Sequence, residues 1–146
     1  MLARAMVLGT ALLLIPSGSA VRAEEIHRAG DLELHSAAVP TTELTPEAAK
    51  DYNVQVSPDR GLLTVTLLRK GRNGEARSVQ GQVYAGAVTQ NNYLISIPIR
   101  EVRQGDQVYY LGEYRLKAPD TLRFIINANV LGRHLKGELT RVFQAP

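Results

Sequence analysis

Cysteine is absent from the 146 residues, which excludes a disulfide framework, a lipid-anchored lipoprotein and a thiolate nucleophile. Tryptophan is missing as well, and there are only two phenylalanines. Leu, Ile, Val and Ala with a few of the six tyrosines must therefore fill the interior. No stretch is long enough to cross a bilayer, which takes about 20 apolar residues. The run from Ala5 to Ile15 is broken by Gly9 and Thr10 and stops at Pro16.

That early run has a different meaning. Arg4 precedes it, and Val21-Arg22-Ala23 places small residues where a signal peptidase reads. Residues 1–23 are thus expected to be a secretory signal peptide cleaved after Ala23, leaving a single domain over 24–146 in the periplasm or outside the cell. The leader carries Arg4 and Arg22 and no acid, so its loss takes the 17 basic residues to 15 against 14 acidic ones. A nearly balanced exported chain offers little to nucleic acid.

Two-residue apolar alternation runs through most of what remains, and it is the signature of strands. Glu24 to Ala29 is polar and reads as a frayed leader. From Asp31 to Val39, Leu32, Leu34 and Ala38 alternate with Glu33 and His35, giving a half-buried strand stopped by Pro40. A short helix follows, with Thr45 as N-cap, Pro46 at the first helical position and Glu47 in the first turn. Asn53 is its stop.

Gly61 to Lys70 is apolar on both parities, as a strand covered on both faces requires. Gly71-Arg72-Asn73-Gly74 is a turn leading into a longer, weaker strand from Ala76 to Val88. Gln90 to Lys117 reads as a hairpin, with Ile95, Ile97 and Ile99 in one arm and Val108, Tyr110, Tyr114 and Leu116 in the other. An even loop, Gln104-Gly105 or Arg103 to Asp106, sets both rows on one face; Ile99 is then expected opposite Tyr110 and Ile95 opposite Tyr114. Pro98 requires an edge or a bulge in the first arm. Leu122, Phe124, Ile126, Ala128 and Val130 line one face of the next strand. A Gly132-Arg133 turn returns it to Leu135, Leu139 and Phe143, with Leu139 opposite Ile126.

About seven strands with tight turns and one short helix after the first strand predict an all-β chain. The expected form is an antiparallel β-sandwich, immunoglobulin- or fibronectin-like, with a small barrel as the alternative.

Several motifs together resemble the bacterial secreted family classified as domain of unknown function 4426. They are Gly30-Asp31-Leu32-Glu33-Leu34-His35, Leu44-Thr45-Pro46-Glu47, Arg100-Glu101-Val102-Arg103, Gly105-Asp106, Tyr109-Tyr110 and Thr121-Leu122-Arg123-Phe124. Ser36 and Pro40 depart from the family's aromatic and Asn. The resemblance implies an exported single-domain β protein and assigns no activity.

For catalysis or a metal the residues offer little. His27, His35 and His134 have no partner at zinc spacing, Glu33 and His35 read as an exposed polar face, and no Gly-x-Ser-x-Gly elbow occurs. No cofactor is expected. If each hairpin reverses direction, Lys70, Arg72, Arg103, Arg133 and His134, with Asp106 as counter-charge, collect at one end as a rim. Such a rim suits an anionic small molecule or an acidic protein partner; its plainer reading is solvated hairpin tips. Arg100, Glu101 and Arg123 are expected to form a structural charge network, with Arg103 or Arg123 as the partner of Glu101. The leading expectation is a non-catalytic binding or interaction module. A hydrolytic enzyme with acid and base on separate strands, or an envelope assembly or stress factor, are the alternatives.

Overall fold

The computed structural model describes residues 24–145; the expected signal peptide lies outside them. Ten strands and one short helix follow in order: β1 (Glu24–Ala29), β2 (Leu32–Pro40), α1 (Pro46–Asp51), β3 (Arg60–Lys70), β4 (Ala76–Ser78), β5 (Gln82–Val88), β6 (Leu94–Ile97), β7 (Arg100–Gln104), β8 (Gln107–Arg115), β9 (Asp120–Val130) and β10 (Arg133–Phe143). One sheet runs β1-β2-β3-β8-β7, with β4 pairing the far end of β3, and the other runs β10-β9-β5-β6. Every pairing is antiparallel. Apart from β1 and β4, this is the strand order of an immunoglobulin-type sandwich, four strands against four. No helix among the described residues is long and apolar enough to cross a membrane.

The core is the set of inward parities. Leu122, Phe124, Ile126, Ala128 and Val130 of β9 are buried against Leu63, Val65 and Leu67 of β3 and against Tyr110 and Tyr114 of β8. Tyr114 meets Phe124 edge-on at 4.9 Å between ring centroids, the arrangement aromatic quadrupoles favour. A smaller apolar layer lies on the other face of the β3 sheet. There Leu44, Ala48, Ala49 and Tyr52 of the α1 segment cover Val39, Leu62, Tyr109 and Leu111, so β3 is buried on both faces as its unbroken apolar run requires. Thr45 caps α1 by accepting a hydrogen bond from the Ala48 N–H at 3.2 Å, and Asn53 stands at φ +52 just beyond its end.

Three departures from the sequence reading stand out, the last two because chain segments change sheets. Glu24–Ala29 is no frayed leader: it is the edge strand β1, paired along its length with β2. The long strand expected from Ala76 to Val88 is two strands, β4 on β3 and β5 on β9, with the crossing between them at Val79–Gly81. The first arm of the hairpin also divides at Pro98, β6 pairing with β5 and β7 with β8. A residue without an N–H suits a corner where the ladder is exchanged.

Parity survived these breaks while register moved by two residues. The β7–β8 turn is Gly105-Asp106, flanked by the pair Gln104 and Gln107. Tyr110 therefore stands opposite Glu101, not Ile99. Ile97 is 3% exposed while Ser96 is exposed. Likewise the last turn is Leu131-Gly132, both at positive φ as a type I′ turn demands, and Leu139 opposes Phe124 instead of Ile126.

Ile97 and Ile99 pack into a socket made by Gly112. A Cβ there would stand 2.5 Å from Ile97 Cγ2 and 2.8 Å from Ile99 Cδ1. Gly112→Ala should therefore lower unfolding stability by about 1–3 kcal/mol in urea titration. Combined with Ile97→Ala it should cost clearly less than the two single changes added together, and strict additivity would refute the socket.

Candidate functional site

Antiparallel pairing carries the β1–β2, β3–β4, β7–β8 and β9–β10 turns to one end of the sandwich. Ser78 of β4, next to Leu68, receives a hydrogen bond from the Val108 N–H at 2.9 Å, so the β7–β8 turn adjoins the β3–β4 turn. Arg133, just past the β9–β10 turn, reaches Asp31 in the β1–β2 turn. The expected basic rim is thus assembled in part, but its counter-charges are different ones.

Asp31 is the hub of this end. Its Oδ2 accepts from Arg69 Nε at 2.8 Å and its Oδ1 from Arg133 Nη2 at 2.6 Å, joining β3 of one sheet to β10 of the other. These guanidinium hydrogen bonds, Arg69's first, pull the Asp31 carboxyl down to about 2. Glu33 is the second hub and is only 5% exposed. Its Oε1 meets Lys70 Nζ at 3.0 Å and Arg28 Nε at 3.4 Å, and its Oε2 meets His35 Nε2 at 2.7 Å. Burial pushes its pKa up, but the hydrogen bonds from His35 and Lys70 outweigh that and hold it at about 2. His35 also touches Glu24 Oε1 through Nδ1 at 2.5 Å. The Glu33–His35 pair is therefore a part-buried hydrogen-bonded chain, and the exposed polar face read from alternation is corrected: β1 and Lys70 cover it. With Glu33 already accepting from three side chains, little of its capacity remains for a substrate.

Of the rim residues, Lys70 and Arg133 are consumed in these pairs. Arg103 lies 3.7 Å from Glu101, and His134 Nε2 is 3.1 Å from Asn127 Oδ1. Arg72 and Asp106 make no ion pair or side-chain hydrogen bond among the described residues, so Asp106 is not the counter-charge of this end.

Around Glu101 the structure places groups other than those expected, apart from Arg103. Glu101 accepts from Gln80 Nε2 at 2.9 Å and from the Tyr110 hydroxyl at 3.1 Å. Gln80's hydrogen bond leads the causes that lower the Glu101 pKa. Tyr110 in turn accepts from the Gly81 N–H at 2.9 Å, so the cluster fixes the crossing between β4 and β5. Arg123 has no part in it. It lies on the outer face of the other sheet, 3.5 Å from Glu138, because the odd-numbered residues of β9 point away from the core. Arg100 donates to the carbonyls of Tyr52 and Asn53 and ties β7 to the end of α1.

Among the described residues no group of three His, Cys, Asp or Glu is disposed to hold a metal ion. Sequence reasoning missed Asp31 and Arg69 because their role appears only once β1 is known to pair with β2 and Leu32 with Arg69.

The family described as "Domain of unknown function (DUF4426)" matches residues 26–143. A solved structure of a protein of that family from Pseudomonas aeruginosa PAO1 is similar with a TM-score of 0.70 at 22% identity, covering 85% of this chain and 97% of that one. The GAE domain of GGA2p from Saccharomyces cerevisiae aligns with a TM-score of only 0.36 at 7% identity, over 85% of this chain and 99% of that one. No curated protein matches the chain.

Two outcomes follow from the charge clusters. Asp31 and Glu33 fall from ordinary values of 3.8 and 4.5 to about 2 on folding. Their stabilisation is complete above those ordinary values and is lost as pH falls towards 2. Asp31→Asn and Glu33→Gln should each lower the melting temperature at neutral pH and flatten its decline between about pH 5 and 2; parallel pH profiles for variant and wild type would refute this. Glu101→Ala should lower the melting temperature by at least about 3 °C more than Glu75→Ala, whose ion-pair partner among the described residues is Arg77 at 3.9 Å on the exposed surface.

Proposed function

The chain belongs to the family described as domain of unknown function 4426, and on that premise we propose that it is an exported, non-catalytic binding module. It acts outside the cytoplasm once the leader is removed after Ala23. It takes an extended segment of a protein partner along the sandwich side that carries Pro98.

The observation that carries this reading is the contrast between the two long sides. On one, His27 Nε2 stands 3.0 Å from the Glu138 carbonyl and 3.1 Å from its N–H, covering backbone groups that the edge strand β10 would otherwise leave open. A glycine at 137 permits this approach, since a Cβ there would meet Leu34 Cδ2 at 2.8 Å and His27 Cδ2 at 3.1 Å. On the other side, β6 and β7 are the last strands of their sheets. The turn bond from the Thr89 N–H to the Tyr93 carbonyl sets the alternation of β6, so the N–H groups of Leu94 and Ser96 point outward. Leu94 is 73% exposed and Tyr93 70%. Free ladder positions beside exposed apolar side chains are what strand addition uses.

The anion-binding reading of the loop end has less support, because Lys70 and Arg133 are neutralised by Glu33 and Asp31. Capture from periplasmic extract distinguishes the two. Ser96→Pro should abolish partner capture with the melting temperature changed by no more than a few degrees, while the double variant Arg72→Ser, Arg103→Ser should retain it. Retention by Ser96→Pro together with loss in the arginine variant would transfer the site to the loop end.

A further inference from the structure

The free edge of β6 is its own complement. Its outward ladder groups belong to Leu94 and Ser96, and the ladder is closed on either side of them. Pro98, at the next outward position, has no N–H. Asn92, at the position before, stands at φ +63, and its N–H is taken by the Thr89 carbonyl at 3.0 Å. One antiparallel match of this edge with itself keeps every bond. A two-fold axis at Ile95 sets Leu94 opposite Ser96 of a second copy and Ser96 opposite its Leu94, and each pair exchanges both N–H···O bonds. A shift of two residues brings either Pro98 or Asn92 into the ladder and forfeits bonds, and a shift of one sets outward groups against inward ones.

The side chains fit the same axis. On the outer face Ser96, Gly86 and Ile125 form one row, a trough because Ser96 is small and Gly86 has no side chain. Leu94 borders it, with Cδ1 3.3 Å from where a Gly86 Cβ would stand, and the Leu94 of a second copy, arriving beside Ser96, enters the same trough. On the inner face Ile95 meets Ile95 at the axis as a non-hydrogen-bonded pair, where side chains come closest. A two-fold contact also sets each charge near its own copy, so a self-pairing edge must be uncharged. From Thr89 to Ile99 there is no Asp, Glu, Lys or Arg, although 21% of the chain is charged. The edge strand β10, by contrast, carries Arg133, Lys136, Glu138 and Arg141, the ordinary guard against pairing. We infer that β6 pairs with β6 of a second copy about a two-fold axis at Ile95, joining the two β9 sheets into one. This names the partner of the edge and rests on the strand-addition reading.

The chain has no cysteine, so one introduced thiol reports the register. Residues opposed in a non-hydrogen-bonded pair lie about 4.5 Å apart at Cα, within disulfide reach, whereas diagonal neighbours at about 7–8 Å lie beyond it. Ile95→Cys should therefore give a disulfide-linked dimer under mild oxidation, and Leu94→Cys at least tenfold less of it. Sedimentation equilibrium of residues 24–146 should show a reversible dimer, and Ser96→Pro should leave a monomer. Leu94→Lys and Leu94→Glu, diagonal to their own copies across the axis, should each raise the dissociation constant tenfold or more, while an equimolar mixture of the two restores association. A wild-type chain that stays monomeric up to millimolar concentration, no rescue by the mixture, or linkage through Leu94→Cys in preference to Ile95→Cys would overturn the self-pairing. If the chain is monomeric and Ser96→Pro still removes capture from periplasmic extract, strand addition stands with a different partner; if capture is unchanged as well, both fall.

Discussion

Everything in this molecule depends on two pleated faces closing over one dry layer. In a strand, alternate side chains take opposite sides, so Leu122 to Val130 at even positions and Leu63, Val65 and Leu67 at odd ones can meet only if each strand holds its parity. That constraint tolerates a shift of two residues and forbids a shift of one. With neither disulfide nor tryptophan, nothing else of comparable size holds the sheets together. The arginine pairs on Asp31 and the histidine on the β10 edge act at the rim of that layer.

Much of the fold was therefore legible in the residue order. The β9 face, the doubly covered β3, the cap of α1 and the even loops follow from periodicity and local chemistry, and each is found in the structure. What periodicity does not encode is sheet membership. Val79, Val83, Ala85 and Ala87 keep one alternation through a point where the chain leaves one sheet for the other. The isoleucines at 95, 97 and 99 do the same across Pro98. A strand that changes partners without changing parity looks continuous in sequence.

The charged clusters were legible to a lesser degree. Lys70 and Arg133 do gather at one end of the molecule, as hairpin reversal implies. Their partners, Asp31 and Glu33, were hidden because β1 was read as a polar leader. Polarity misled there: Glu24 and Arg28 are strand residues whose side chains complete the shell around His35 and Glu33. The same blind spot applies to Arg123, whose outward parity was plain while its true neighbour, Glu138, depended on a register that moved by two.

The placement of β1 bears on when the fold can close. His27 meets Glu138 across 111 positions of chain, and Asp31 meets Arg133 across 102. A polypeptide made from its amino end, or threaded outward from that end, holds its first strand without a final neighbour until the last one has emerged. Loop-closure entropy must be met before so distant a contact contributes anything. Vectorial synthesis therefore leaves the sandwich ajar along one seam until the end, and the unclosed intermediate is the species that chaperones or proteases would meet.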